Sequence, residues 1–267
     1  MSYVFQTENK VLFVMKFVMG GELFSYLRKV QRFKEDNAKL YCAMLCHAIG
    51  YLHESGVVYR DLKPENVLIG EDGYLCVTDF GLAKQLYEGE VATTVAGTPE
   101  YMAPEILNQG TGIIPKGYSL PVDWWSIGCI TFEMIVGLPP FYHHGQSTDR
   151  LFERVVNNPI KFPDEDPRYA KLHHKIPVSP DARDFLLRLL DKDPDTRLGS
   201  NGGLAEVLAH PWLASIDHES LLKKDLEPPY KPKVNKANAL DVGNFDEVFT
   251  GEEAVLTAPH LKLDREE

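Results

Sequence analysis

The run "VFQTENKVLFVMKFV" (residues 4–18) is apolar on both sides of the polar triplet Glu8-Asn9-Lys10, and it reads as two short strands around a turn. Gly20-Gly21 interrupts that pattern, and "ELFSYLRKV" after it reads as a helix. A longer helix is predicted from about Glu35 to His53, because Leu40, Ala43, Met44, Ala48 and Leu52 fall on one face at helical spacing. In "NVLIGEDGYLCVTDFG" the apolar alternation breaks at Asp72-Gly73, the signal of a tight hairpin. Residues 82–119 are rich in Gly, Pro and Thr and read as a long irregular loop. "VDWWSIGCITFEMIVG" is apolar nearly all round, the mark of a helix buried on every side. Two more helices are predicted near 180–191 and 203–209. From about residue 216 periodicity is lost in a Pro-punctuated tail, and the chain has no internal repeat. The pattern describes a mostly helical domain with a strand pair at its front and an extended tail.

Composition narrows the partners. With 44% apolar residues the 267-residue chain can bury a sizeable core. A balance of 28 Lys+Arg against 39 Asp+Glu, net −11, argues against a nucleic-acid partner and points to basic ones, unless the acidity serves solubility alone. Cys42, Cys46, Cys76 and Cys129 show no zinc-finger spacing and read as small buried hydrophobes. No signal peptide opens the chain, and Val11–Met15 is too short an apolar run to span a bilayer. A soluble protein of the cytoplasm, or of the nucleus, is expected, with no membrane insertion.

The stretch "VVYRDLKPEN" (57–66) carries the chemistry. Phosphoryl transfer needs an acceptor hydroxyl held in line, metal ions on the phosphates and positive charge beside the moving group. Asp61 can orient the hydroxyl and accept its proton, Lys63 can reach a γ-phosphate, and Asn66 offers a hard oxygen suited to Mg²⁺. Asp79, in "DFG" across the Asp72-Gly73 hairpin, offers a second oxygen ligand. Any one of these is weak by itself, whereas "YRDLKPEN", "DFG" and "APE" in this order and spacing are a strong combination.

On those residues, and on "GTPEYMAPE", "DWWSIG", "DPDTRLG" and "NFDEVF", the chain resembles the protein kinase A, B and C group, closest in pattern to protein kinase B-like members. The resemblance implies an α+β protein-kinase-like fold: a remnant of the β-rich N-lobe with the hinge at 1–19, a mostly helical C-lobe at 20–215, and a C-terminal tail at 216–267. It implies an ATP–Mg²⁺-dependent serine/threonine kinase. By resemblance, Thr98 bonds near Asp61 and Lys63, Glu105 pairs with Arg197, and Asp123 braces the catalytic loop. Met15, Lys16, Phe17 and Val18 match the hinge that meets adenine, through the Lys16 carbonyl and the Val18 amide. Leu68 would lie beneath the ring, Thr78 beside the nucleotide, and Phe245 would close over it. Lys16 departs from the group, which usually has Glu there. Thr94 matches the activation-loop phosphosite, served by an upstream activating kinase, with Arg60 and Lys84 placed to clamp its phosphate. Thr257, in "VLTAP", matches a second phosphosite. Glu22, Glu65 and Glu133 fall where related kinases hold arginines two and three residues before the target hydroxyl, so protein substrates with a basic motif are expected.

Residues 1–14 leave no room ahead of the hinge for the family's glycine-rich loop, strand lysine and helix glutamate. "GTG" at 110–112 is no substitute, because it lies after "APE" with neither strand nor lysine flanking it. The polypeptide by itself is therefore expected to be inactive, its hairpin an unpaired edge and residues 216–267 largely disordered. Three explanations compete at this stage: an incomplete piece of an active kinase, a truncated product acting as a substrate-binding or scaffold module, and complementation by another chain. Intact Asp61, Lys63, Asn66 and Asp79 favour the first.

Overall fold

A computed structural model describes residues 2–7, 10–107, 113–145, 147–169, 176–235, 237–238 and 241–251, with the backbone alone for 113–115, 168 and 249. The expected turn residues Glu8 and Asn9, the "GTG" at 110–112 and Thr257 lie outside the described residues. The layout is α+β. At the front, β1 (Tyr3–Gln6) and β2 (Val11–Val14) pair antiparallel with Tyr3 opposite Val14. Both faces of this hairpin are open to solvent: Phe5 is 54% exposed and Phe13 57%.

The helical body starts at α1 (Leu23–Val30), which buries Leu23 and Leu27 one turn apart and carries Arg28 and Lys29 at its negative end. α2 (Glu35–Glu54) buries Ala38, Tyr41, Cys42, Leu45, Cys46 and Ile49, a stripe at helical spacing. Its first residue does more than suit the helix dipole. The Glu35 carboxylate accepts hydrogen bonds from Ser179 N and Oγ and from Trp212 Nε1, at 2.8, 2.6 and 3.0 Å. Burial alone would raise the Glu35 pKa, but these bonds hold it below the usual carboxylate range.

Three short ladders follow. β3 (Val57–Val58) pairs with β6 (Lys84–Gln85), and β4 (Val67–Ile69) with β5 (Leu75–Val77), all antiparallel. The stretch 59–66 is thus strung between two anchored strands. β7 (Ala92–Thr94) pairs across an irregularity with β8 (Ile113–Tyr118), on either side of α3 (Pro104–Leu107). The segment 82–119, expected to be irregular, therefore contains β6, β7, α3 and β8 among its described residues. β6 and β7, two and three residues long and paired with distant partners, leave no alternation for a periodicity test to detect.

α4 (Pro121–Val136) is buried from Val122 through Val136, as its all-round apolar pattern predicts. Around it lie α5 (Thr148–Asn157), an element with no counterpart in the sequence reading, then α6 (Pro180–Leu189), α7 (Gly203–Leu208) and α8 (Pro211–Ala214). Cys42, Cys46 and Cys129 are buried as expected, whereas Cys76 is exposed. Gly199 has φ +92°, and a Cβ there would stand 2.6 Å from Trp124 Nε1. Gly199→Ala is expected to cost about 2–4 kcal/mol in urea unfolding, from left-handed strain plus overpacking against a buried indole. A cost below about 0.5 kcal/mol would refute this account of the turn.

The tail differs from its expectation. After α9 (His218–Lys223), Tyr230 stacks on Tyr26 at 4.0 Å, and Tyr74 Oη donates to Leu226 O at 2.7 Å. The tail backbone passes so close to the hairpin turn that a Cβ on Gly73, whose φ is +86°, would stand 2.4 Å from Tyr230 O. Further on, before α10 (Glu247–Thr250), Asn244 Nδ2 donates to Met19 O at 2.9 Å and Phe245 stacks on Phe17 at 5.6 Å. Single aromatic and amide anchors hold its described part, so there loss of periodicity did not mean loss of structure; residues 252–267 lie outside the described residues. No helix of the described residues is long and apolar enough to cross a membrane.

Candidate active site

The catalytic loop is shaped by one buried carboxylate. Asp123, fully buried on α4, accepts hydrogen bonds from Tyr59 N (2.8 Å), Arg60 N (2.8 Å) and His53 Nε2 (2.8 Å). Arg60 sits at φ +71°, a conformation an arginine adopts only when its surroundings impose it. The Asp123 bonds impose it, and the chain turns so that Asp61 follows at the surface of the cleft.

There four side chains converge. Thr98 Oγ1 donates to Asp61 Oδ1 at 2.7 Å, and Lys63 Nζ donates to Thr98 Oγ1 at 2.9 Å while standing 2.9 Å from Asp61 Oδ2. Asn66 Nδ2 donates to Asp61 Oδ2 and to the Asp61 carbonyl, both at 3.0 Å. Both of these bonds are made by the amide nitrogen and leave the Asn66 oxygen out of them. Asp79 follows β5 with φ +57°, its Oδ1 accepting from Gly81 N at 3.1 Å and its side chain exposed. Thr78 links Asp79 to the loop, since Thr78 N donates to Asn66 O at 2.9 Å and Thr78 O accepts from Tyr59 Oη. Among the described residues no group of three or more His, Cys, Asp or Glu forms a self-sufficient metal cage. One carboxylate and one amide oxygen do fit Mg²⁺, which takes few protein ligands and completes its shell with water and phosphate oxygens.

In the segment expected to be the hinge, Met15 and Lys16 are exposed and Val18 half-buried, while Leu68, half-buried on β4, bridges to Glu22. Phe245 reaches this region through its stacking on Phe17. Beside Thr98 opens a cavity of about 440 Å³ whose walls include Glu65, Glu100, Tyr101 and Glu133. Burial, then the charges of Glu65 and Glu100, push Glu133 up to about 7, against a 2.7 Å bond from Tyr101 Oη. Glu65 is raised, by burial first and by the charges of Glu100 and Asp61. Glu22 is raised by burial, then by Glu65 and Asp246, and it lies toward the tail rather than in this cavity's wall.

Thr94 is exposed on β7. Of the two cations expected to clamp its phosphate, Arg60 Nε donates to Leu82 O at 2.6 Å, and Lys84 Nζ pairs with Glu90 at 3.0 Å. A connection to Thr94 runs through Tyr118, whose hydroxyl donates to Thr94 O at 2.7 Å and accepts from Arg60 at 3.3 Å. Glu105 and Arg197 meet in a two-pronged ion pair at 2.6 and 2.9 Å.

A protein kinase domain model matches residues 1–213, and a protein kinase C-terminal domain model matches 237–266. The chain belongs to the protein kinases of the A/B/C group. This kinase chain is 42% identical to Protein kinase 2 of Dictyostelium discoideum over 94% of its own length and 47% of that protein's. It is 42% identical to the RAC family serine/threonine-protein kinase homolog of the same organism, over 96% and 53%. With Serine/threonine-protein kinase YPK1 of Saccharomyces cerevisiae the identity is 40%, over 96% and 34%. It spans about half or less of the length of these relatives. Tyr101 and Glu100 of the cavity escaped the sequence reading although both stand inside the quoted "GTPEYMAPE". His53, Tyr59 and Tyr118 act through partners far along the chain and leave no local signal.

Proposed function

We propose that this kinase chain carries the catalytic and peptide-binding side of an ATP-dependent protein serine/threonine kinase. What carries the reading is the hub of Asp61, Lys63, Asn66 and Thr98 with Asp79 opposite. Bound ATP–Mg²⁺ supplies the phosphoryl group, with Asn66 and Asp79 as protein ligands of the metal. Asp61, oriented by Thr98 and Asn66, accepts the proton of the substrate hydroxyl at its carboxylate. Lys63 places its ammonium beside the hydroxyl's path and offsets the charge that develops. The hinge from Met15 to Val18, with Leu68, Thr78 and Phe245, forms the adenine side. Glu22, Glu65 and Glu133 select basic residues before the target. Thr94 is the site at which an upstream kinase acts.

The 267-residue polypeptide alone is read as inactive. The described residues include no glycine-rich cover or strand lysine over the pocket, and each positioned group of this kind is worth about 3–4 kcal/mol. ATP with Mg²⁺ should leave its melting temperature unchanged, and a shift of several degrees or Asp61-dependent turnover would overturn this. Joined to the amino-terminal lobe of a related kinase, the chain should phosphorylate serine in basic peptides, and Asp61→Asn should cut the rate about a hundredfold or more. An active fusion indifferent to Asp61 would refute the assignment of the hub. The second reading, a module that grips basic partners without chemistry, rests on the same acidic cavity and predicts peptide binding without any transfer in the fusion.

A further inference from the structure

Two histidines outside the site described above face one another between α2 and α9. His47 Nε2 stands 3.2 Å from His218 Nδ1, although 171 positions separate them in the chain. Their ring planes meet at 60° with centres 5.2 Å apart, and both rings are half-buried, within reach of solvent. The far side of His218 fixes how the pair is protonated. Its Nε2 lies 3.2 Å from Leu213 O. A carbonyl can only accept, so that nitrogen carries the hydrogen and the neutral ring keeps its lone pair on Nδ1. His47 Nε2 then donates to that lone pair. With its hydrogen on Nδ1 instead, His47 turns a second lone pair to the same gap.

The gap has the dimensions of a coordination sphere. Zn²⁺ holds imidazole nitrogens tetrahedrally at about 2.0–2.1 Å, which places two of them about 3.3 Å apart and their ring centres about 5.2 Å apart. The observed separations are 3.2 and 5.2 Å. The Leu213 carbonyl supplies the outer hydrogen bond that orients a metal-bound histidine and fixes its tautomer. Neutral nitrogen donors select a borderline cation such as Zn²⁺ over Mg²⁺, which prefers oxygen. Among the described residues no third His, Cys, Asp or Glu completes the set. Glu219, next to His218, is turned to Lys223 at 2.5 Å.

We propose that His47 and His218 form a zinc site, in which the ion replaces their direct hydrogen bond and water fills the remaining positions. The bridge clips the start of the tail to the helical body. α9 leads into the segment where Leu226 and Tyr230 dock on Tyr74 and Tyr26. α2 carries His53, which bonds Asp123 behind the catalytic loop. A bound ion therefore stabilises the folded chain and holds the root of the tail, without calling on Asn66 or Asp79.

The test is a Zn²⁺ titration of the tag-free 267-residue polypeptide carrying Cys76→Ser, which removes the exposed thiol as a competing ligand. Calorimetry should find a site that His47→Gln and His218→Gln each weaken by about tenfold or more. The two substitutions together should weaken it no further, because either one dissolves the pair. Zn²⁺ at about ten times its dissociation constant should raise the melting temperature by about 2–4 °C, and do so in neither variant. Ring-nitrogen NMR signals carry the test should a variant fail to fold. At zinc saturation those of His47 Nε2 and His218 Nδ1 should both shift strongly, while His218 Nε2 keeps its hydrogen. Millimolar Mg²⁺ should leave the ion in place. Unchanged zinc affinity in either variant, ring signals that stay put at saturation, displacement by Mg²⁺, or no zinc-dependent heat at all would each overturn the site and leave the pair a hydrogen bond.

Discussion

Arg197→Ala is expected to destabilise the chain by about 3–5 kcal/mol, read as a lower urea midpoint at unchanged slope. Arg197 is fully buried and makes four hydrogen bonds: to both oxygens of Glu105, to Asp191 O at 3.0 Å and to Pro121 O at 3.0 Å. Its guanidinium also lies 5.2 Å from the Trp125 ring centre. The pair need not add much net stability, because desolvating two charges offsets most of their attraction. Breaking it is another matter. The substitution leaves the Glu105 carboxylate, only 14% exposed, facing an empty volume beside two carbonyls that have lost their Arg197 donors. Arg197→Lys keeps the charge but loses the two-pronged geometry, and should recover less than half of the loss. Replacing Arg197 and Glu105 together by Met and Leu should cost much less than Arg197→Ala alone, since no buried charge remains. A loss below about 1 kcal/mol in Arg197→Ala would refute this account.

The bond has a consequence for the site as well. Glu105 closes the segment that carries Thr94, Thr98 and Glu100, and Arg197 ties it to the start of α4 through Pro121 O. Thr98 holds Asp61 from that same segment. The order of the hub therefore depends on a bridge that touches none of its members.

What sequence could and could not reveal follows from the range of the interactions. Asp61, Lys63 and Asn66 lie within one short stretch, so their spacing alone brought them together in advance of any coordinates. α2 and α4 were equally open to view, because burial over many turns writes itself as periodicity or as its complete absence. α5 escaped since only Leu151 and Val155 of it are buried, too thin a stripe to stand out. The ladder between β7 and β8 spans α3, and Tyr118 reaches Thr94 from far along the chain, so neither has a local signature. The tail misled for the opposite reason: Tyr230, Leu226 and Phe245 are isolated anchors in a Pro-rich stretch, and isolated anchors have no period. Lys84, matched to a phosphate by position, pairs with Glu90 in the folded chain, a contact that only side-chain geometry reveals.

Asp123→Ala should both unfold the chain more easily, by about 3–5 kcal/mol, and loosen the catalytic loop before global unfolding. Three donors lose the Asp123 acceptor at once: Tyr59 N, Arg60 N and His53 Nε2. Each buried donor left unpaired costs about 1–3 kcal/mol, and no water reaches a fully buried site without further rearrangement. Arg60 has an additional reason to move. Its φ of +71° is strained, and with Asp123 gone nothing bonded to its amide opposes relaxation to negative φ. That relaxation would swing the next residue, Asp61, away from Thr98 and Asn66. Asp123→Asn separates the two effects. One amide oxygen can serve only one side of the carboxylate's work, and its NH₂ group then faces an N–H, so roughly half of the destabilisation should remain. The decisive measurement is native-state amide hydrogen exchange at Tyr59 and Arg60, which should accelerate in Asp123→Ala by much more than the fall in global stability accounts for. Were these amides to exchange only in proportion to global unfolding, Asp123 would be a packing residue of α4, and the shape of the catalytic loop would have to come from the two ladders that flank it.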